Sequence, residues 1–388
     1  MKAAAILLLS IASAGAQDGF ALMPADSPYR VDVRPSLEAV VWSGDTPPPA
    51  LLDFSSDTFF APRFTLGMDA AAGEHWFLLA TARYDRGFDA GEQPDGEVRL
   101  DEIMLRWRVW DDQRLNLQIG KFPTVFGAWP AGQDFFDDPF LLAPLPYSQI
   151  IGINTRNPAA NTPTAIAARA NGSAPAFSTL SKNQWTSIIW GPAEATGASV
   201  FGATEHLDYA LEIKNTALSA HPGSWSEIDF NDPTVSARFG YRPDAAWALG
   251  VSASRGPWAE ENGSGDFMQN TLGLDVRWAH HALIVSGEVV LSEFETPAAG
   301  DLRCASWFLQ ARWKVSPGFW LAGRFGQIVA DDAIGDVPWQ PDVWRAELGS
   351  GWRLTPNLLL KAGYSYTHAD GGDDAGNHLL GTGIGWRF

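Results

Sequence analysis

The 388 residues carry 45 Asp and Glu against 27 Lys and Arg, a formal net charge of −18, which excludes a general nucleic-acid role because phosphate backbones require the opposite sign. Eighteen Trp, 22 Phe and 38 Gly sit in a chain whose mean hydropathy is only −0.10, so many aromatic rings coexist with a large polar surface. The single cysteine, Cys304, excludes an internal disulfide, and past the N-terminus no stretch approaches the roughly 20 consecutive apolar residues of a spanning helix.

In chain order, the first element is MKAAAILLLSIASAGAQ, with Lys2 before an apolar run from Ala3 to Ile11 and Ala14 and Ala16 framing an A-x-A site ahead of Gln17. It reads as a secretory signal over 1–16. No Cys follows the site, which argues against a lipoprotein anchor. Residues 17–35 then form a lead-in segment, and PSLEAVVW at 35–42 supplies a first strand before Pro47, Pro48 and Pro49. From about residue 60 one pattern repeats: an alternating segment of roughly 9 to 13 residues, then a connection that is by turns short and long. The short connections fall at 71–74, 111–113, 205–208, 243–246, 280–282, 316–318 and 355–357, where Pro, Gly, Asn and Asp suit tight turns. The long ones fall at 87–96, 128–183, 218–233, 257–267, 297–302, 331–341 and 370–378. With the strand at 35–42 the count is sixteen, in a range of 14 to 18.

The alternation has a constant phase. Ile103, Leu105, Trp107 and Val109 face one way and Glu102, Met104, Arg106 and Arg108 the other; Trp307, Leu309, Ala311, Trp313 and Val315 oppose Gln310, Arg312 and Lys314. Trp344, Ala346, Leu348, Trp352 and Leu354 likewise oppose Arg345, Glu347 and Arg353. Trp recurs on the apolar phase at both ends of strand after strand, the signature of aromatic girdles at two membrane interfaces. The reading is an all-β, transmembrane, antiparallel up-and-down β-barrel over residues 36–388, with short turns in the periplasm and longer loops outside. The closing segment, LLGTGIGWRF, puts Leu380, Thr382, Ile384 and Trp386 outward and Gly381, Gly383, Gly385 and Arg387 inward. Its terminal Phe388 resembles the C-terminal signature of bacterial outer-membrane barrels, which the barrel assembly machinery reads.

Sorting by phase exposes what the net charge hides. The lumen is expected to carry Arg63, Arg83, Arg106 and Arg108 early in the chain, and Arg238, Arg277, Arg312, Lys314, Arg324, Arg345 and Lys361 later, against Glu102, Asp275, Glu288 and Glu347. A basic wall inside an acidic protein favours anions, since guanidinium groups offer forked donors to oxyanions; cross-strand Arg and Glu pairs that only stiffen the wall are the bland alternative. The longest connection, 128–183, exceeds what a hairpin needs. Its first half, AWPAGQDFFDDPFLLAPLPYSQIIG, suits an ordered segment in the lumen, a constriction in which Asp134, Asp137 and Asp138 oppose the basic wall, with Phe140 and Tyr147 as wall anchors or a slide for sugar rings.

The stretch LDEIMLRWRVWDDQRLNLQIGKFPTVFGAW at 100–129 resembles a region of phosphate-selective porins of the O/P type and related porins, with a G-[KQ]-F-x-x-x-[FY]-G element at Gly120, Lys121, Phe122, Phe126 and Gly127. DPFLLAPLPY, which follows, is similar to segments of outer-membrane proteins of that type. The resemblance implies a porin. A Lys- and Arg-dense phosphate loop is not seen, so phosphate itself is less secure.

The leading expectation is therefore an outer-membrane porin for passive diffusion of small hydrophilic solutes, with anion preference, no enzymatic activity and no cofactor. Expected partners are the solutes, outer-membrane lipid and lipopolysaccharide, the assembly machinery through Phe388, and two further copies in a homotrimer. Two alternatives are an outer-membrane lipase or deacylase, for which no His and Ser are placed on adjacent lipid-facing strands, and a plugged structural or adhesive barrel. Metal ligation is not expected, for lack of HExxH or a Cys and His cluster.

Overall fold

In the computed structural model, residues 20–23, 27–44, 58–85, 96–155, 157, 161–170, 185–221, 230, 233–259, 267–297, 299–331, 339–370 and 376–388 are described. The expected signal sequence over 1–16, the prolines at 47–49 and most of the second half of the longest loop lie outside them.

Sixteen strands close on themselves: β1 Tyr29–Gly44, β2 Thr58–Ala72, β3 Trp76–Asp85, β4 Glu97–Arg108, β5 Asn116–Phe122, β6 Ala195–Ala203, β7 Leu207–Lys214, β8 Thr234–Tyr241, β9 Trp247–Ala259, β10 Phe267–His280, β11 Leu283–Thr296, β12 Gly300–Ser316, β13 Phe319–Ala330, β14 Val343–Thr355, β15 Leu358–Ala369 and β16 Asn377–Arg387. Every neighbour is antiparallel, and β16 pairs with β1, Arg387 opposite Ser36 and Leu379 opposite Gly44. Closure removes the unpaired edges that hydrocarbon would penalise.

The first strand starts at Tyr29, earlier than the alternation from residue 36 indicates, so part of the lead-in segment belongs to the wall. Pro35 sits within it without cost to the ladder. Its carbonyl accepts from the Phe388 N–H, so its missing donor points to the side where the chain ends.

The outward phase holds along the strands except at a bulge on β4 and at Gly120 on β5. Leu348, Leu274 and Leu272 are 66%, 61% and 58% exposed in the middle of regular strands, which only a hydrocarbon surrounding makes favourable. Trp76 stacks on Trp107 and Trp247 lies beside Trp278 at the short-turn end; Trp307, Phe325, Trp344 and Tyr366 follow one another around the wall toward the long-loop end. These are two aromatic girdles.

Inside, the core comes from one connection, between β5 and β6. It contains a 3-10 turn at Trp129–Gly132, a helical turn at Leu145–Ser148, a small ladder between Ile150–Asn154 and Trp185–Ser187, and a helix at Pro163–Ala170. Its apolar side chains bury themselves against the inner wall in two patches. One joins Tyr147, Ile151 and Ile189 to Val290, Phe294 and Phe308; the other joins Phe135, Phe136 and Phe140 to Val40, Trp42 and Leu359.

Candidate functional site

The loop enters the lumen through a hydrogen-bonded neck. The N–H groups of Ala128 and Trp129 donate to Glu288 Oε1 at 2.8 and 2.6 Å, and the Tyr147 hydroxyl donates to Glu288 Oε2. One buried carboxylate on β11 thus ties both ends of the segment 128–147 together. Burial and the adjacent carboxylate push the Tyr147 phenol well above its ordinary range, so it remains a donor. Gly127, at φ +73°, donates to Ser252 Oγ, and a side chain there would meet the Tyr147 hydroxyl. Just upstream, Thr124 Oγ1 and the Val125 N–H donate to Glu212, which also lies 3.6 Å from Lys214.

Beyond the neck the segment is held by wall cations through its backbone. Lys361 Nζ donates to the carbonyls of Asp138 and Phe140, Arg324 to that of Leu142 and Arg345 to that of Ala143. Glu347 lies between the two arginines, 2.9 Å from Arg324 Nη2 and 3.2 Å from Arg345 Nε. Arg353 reaches the Phe136 carbonyl at 3.3 Å and Arg387 the Asp134 carboxylate at 2.9 Å. Arg324, Arg345 and Lys361, expected on the lumen wall, are therefore buried beneath the loop, as are Glu288 and Glu347. Their inward phase is as the alternation indicates, but their donors and acceptors are already engaged.

The loop carboxylates divide. Asp138 is buried, accepting from Trp129 Nε1 at 2.9 Å and the Phe140 N–H at 2.8 Å, and Asp134 accepts the Phe136 N–H besides its pair with Arg387. Asp137 stands exposed. Phe140 lies under the Arg324 guanidinium, 4.2 Å from its ring centre, so it acts as a wall anchor.

The glycines of the closing strand explain the seat. An added Cβ at Gly385 would lie 2.6 Å from the Phe135 ring and 3.0 Å from Phe136, and one at Gly383 would lie 3.2 Å from Phe135. Only a wall without side chains lets both rings lie flat. Gly385→Leu is expected to displace the loop tip and leave the barrel intact, seen as faster proteolysis within 133–142 with unchanged strand content by circular dichroism; equal protection would refute this seat.

The opposite wall carries a different network. Arg63 lies 3.6 Å from Glu38 and 3.5 Å from Asp85, Arg83 lies 3.1 Å from Asp85 and 3.0 Å from Asp101, and Arg99 lies 3.5 Å from Asp85. Arg99, Asp101, Asp85 and Glu38 escape the phase reading. A bulge is the reason for two of them: Thr81 faces Glu102 but Ala82 faces Leu100, so Asp101 is an extra residue and inward and outward positions exchange there. Glu102 remains half-buried on the same side. Lys121 is turned inward by Gly120 at φ +129°, into the field of Glu194 and Asp101; the G-K-F element was its only trace in the sequence.

Toward the short turns, Arg106 donates to Gln118 and covers Phe201, Arg108 covers Phe77, and Arg238 joins Asp275 at 2.7 Å and Asp208 at 2.8 Å. Arg277 and Lys314 are exposed and Arg312 half-buried.

A closed sixteen-strand barrel with a long connection folded across its lumen defines the class: this is a porin-like outer-membrane channel fold. No protein-family model and no curated protein matches the sequence, but solved structures match the fold. The outer-membrane channel DcaP of Acinetobacter baumannii superposes with a TM-score of 0.61 at 9% identity, covering 96% of this chain and 100% of that one. The anion-selective porin from Comamonas acidovorans gives 0.57 at 11%, covering 93% and 100%. OprB of Pseudomonas putida gives 0.56 at 12%, covering 92% and 94%.

Proposed function

We propose that the protein is an outer-membrane porin that passes small hydrophilic solutes by diffusion and prefers anions. The observation that carries this reading is the loop laid across the lumen on wall cations, which narrows the bore without interrupting any strand pair. The wall left beside it is polar: Arg63, Arg83 and Arg238 pair with Glu38, Asp85, Asp101, Asp208 and Asp275, Glu102 lies among them, and among the described residues Arg106, Arg108, Arg277, Arg312 and Lys314 make no ion pair. Low-dielectric walls sharpen such a field and raise the local anion concentration. The printed name of one neighbour, an anion-selective porin, is in keeping with this.

In planar bilayers under a salt gradient, the reversal potential is expected on the anion side, and Arg277→Glu with Lys314→Glu is expected to move it toward cations. A cation-side value for the unaltered protein would overturn the anion preference, and a barrel without conductance would favour a plug. Assembly as a homotrimer, delivered by recognition of Phe388 and set among outer-membrane lipid and lipopolysaccharide, completes the reading; native-gel mobility tests the trimer.

A further inference from the structure

Cations on the inner wall fall into two groups. In the first each is closed into a pair or a clamp: Arg63, Arg83 and Arg99 against Glu38, Asp85 and Asp101, and Arg324, Arg345 and Lys361 against Glu347 and loop carbonyls. Toward the short turns the side chains of Arg277 and Lys314 make no hydrogen bond or ion pair among the described residues, and Arg312 makes one contact of 3.5 Å, to the Asp137 carbonyl. The register brings these three together. Arg277 on β10 faces Ser286 on β11, which faces Gln310 on β12, and Arg312 and Lys314 are the next two inward positions after Gln310. Two strand spacings of roughly 4.8 Å separate β10 from β12, and about 7 Å separates Arg312 from Lys314 along the strand, so their long side chains can converge on one small ion.

We propose that Arg277, Arg312 and Lys314 form a binding station for anions of two or more charges at the short-turn mouth of the lumen, beside the loop tip. The station rests on the reading of the barrel as an anion-preferring channel, and adds to it a place, a valence and a side. Three neighbouring positive charges repel one another, with Arg353 as a further positive neighbour and Asp137 and Asp138 as the acids facing the group. Asp138 is already engaged by Trp129 and Phe140, which leaves Asp137 as the exposed counter-charge. A chloride ion relieves one such repulsion, whereas a sulfate spans two guanidinium forks and relieves several. Only the loop tip, at Asp134–Asp138, reaches this depth, while the body of the loop packs on the long-loop side against Phe294, Leu302 and Ile328, so occupancy of the station depends on the side from which the anion comes.

Sulfate is the probe, added to one side of single channels carrying chloride current. Glu205→Cys, at an exposed short turn and labelled with biotin, lets streptavidin mark that side. Sulfate on the short-turn side is expected to block saturably and several-fold more strongly than from the other side. In the double variant Arg277→Gln and Lys314→Gln the half-blocking concentration is expected to rise about tenfold, or about 1.4 kcal/mol, while Arg303→Gln, which faces outward on β12, blocks like the unaltered protein. Equal block from both sides, or block unchanged in the double variant, overturns the station. The sidedness is read on the unaltered protein and needs no variant to fold. An anion-side reversal potential with symmetric sulfate block defeats the station alone, whereas a cation-side potential defeats the reading beneath it.

Discussion

Glu288→Ala is expected to destabilise the folded barrel by about 3–5 kcal/mol, the usual cost of leaving buried partners of a charged group unmatched. The reason is the number of donors that converge on one carboxylate: two backbone N–H groups from the start of the inserted segment and the Tyr147 hydroxyl from its end. None has another acceptor at the neck among the described residues, and Glu288 and Tyr147 are both buried. Glu288→Gln keeps the shape and one acceptor oxygen, so it is expected to cost about 1–2 kcal/mol, with Tyr147→Phe in the same range. Urea unfolding in lipid vesicles gives the stability, and open-channel current noise reports the loop, which should fluctuate most in the Ala variant. A loss below about 1 kcal/mol with a quiet current would show that the apolar patches alone hold the neck.

Excising residues 133–142 and joining the ends with a short Gly-Ser linker is expected to raise single-channel conductance several-fold and shift the reversal potential further to the anion side. Both effects have the same origin. The segment occupies the lumen, its carbonyls engage Lys361 and Arg324 through hydrogen bonds, and it carries Asp134, Asp137 and Asp138; without it those two cations face water and the three acids are gone. The barrel is expected to survive, because each strand pairs with its neighbours in sequence order and β5 with β6 directly. Conductance equal to that of the unaltered protein would show that the segment does not set the narrowest passage.

Much of the architecture is readable before folding is considered, and the closing strand shows why. Leu380, Ile384 and Trp386 face outward and Gly381, Gly383 and Gly385 inward because side chains alternate on any extended chain, and closure leaves that phase untouched. The same rule places Arg324, Arg345 and Lys361 on the inner face. It fails where the backbone departs from regular alternation: the bulge at Asp101 and the positive φ at Gly120 send Asp101, Arg99 and Lys121 to the side opposite to that counted from their neighbours. The first strand is longer than the phase suggested because its Tyr29–Pro35 part extends the ladder with β2 beyond the end of β16, with Phe20–Leu22 pairing along its other side at Val31–Val33.

The sequence by itself determined the strand number, the turns, most of the lipid-facing surface and the inward residues of the regular strands, all consequences of local periodicity and turn chemistry. Only the tertiary structure decided which inward charges remain available. Whether Lys361 meets Asp138, 223 positions away, or Arg387 meets Asp134, 253 away, depends on barrel closure and on the path of one loop across it. Partners so distant in the chain leave no periodic trace, and they leave Arg277 and Lys314 without a hydrogen bond or ion pair among the described residues.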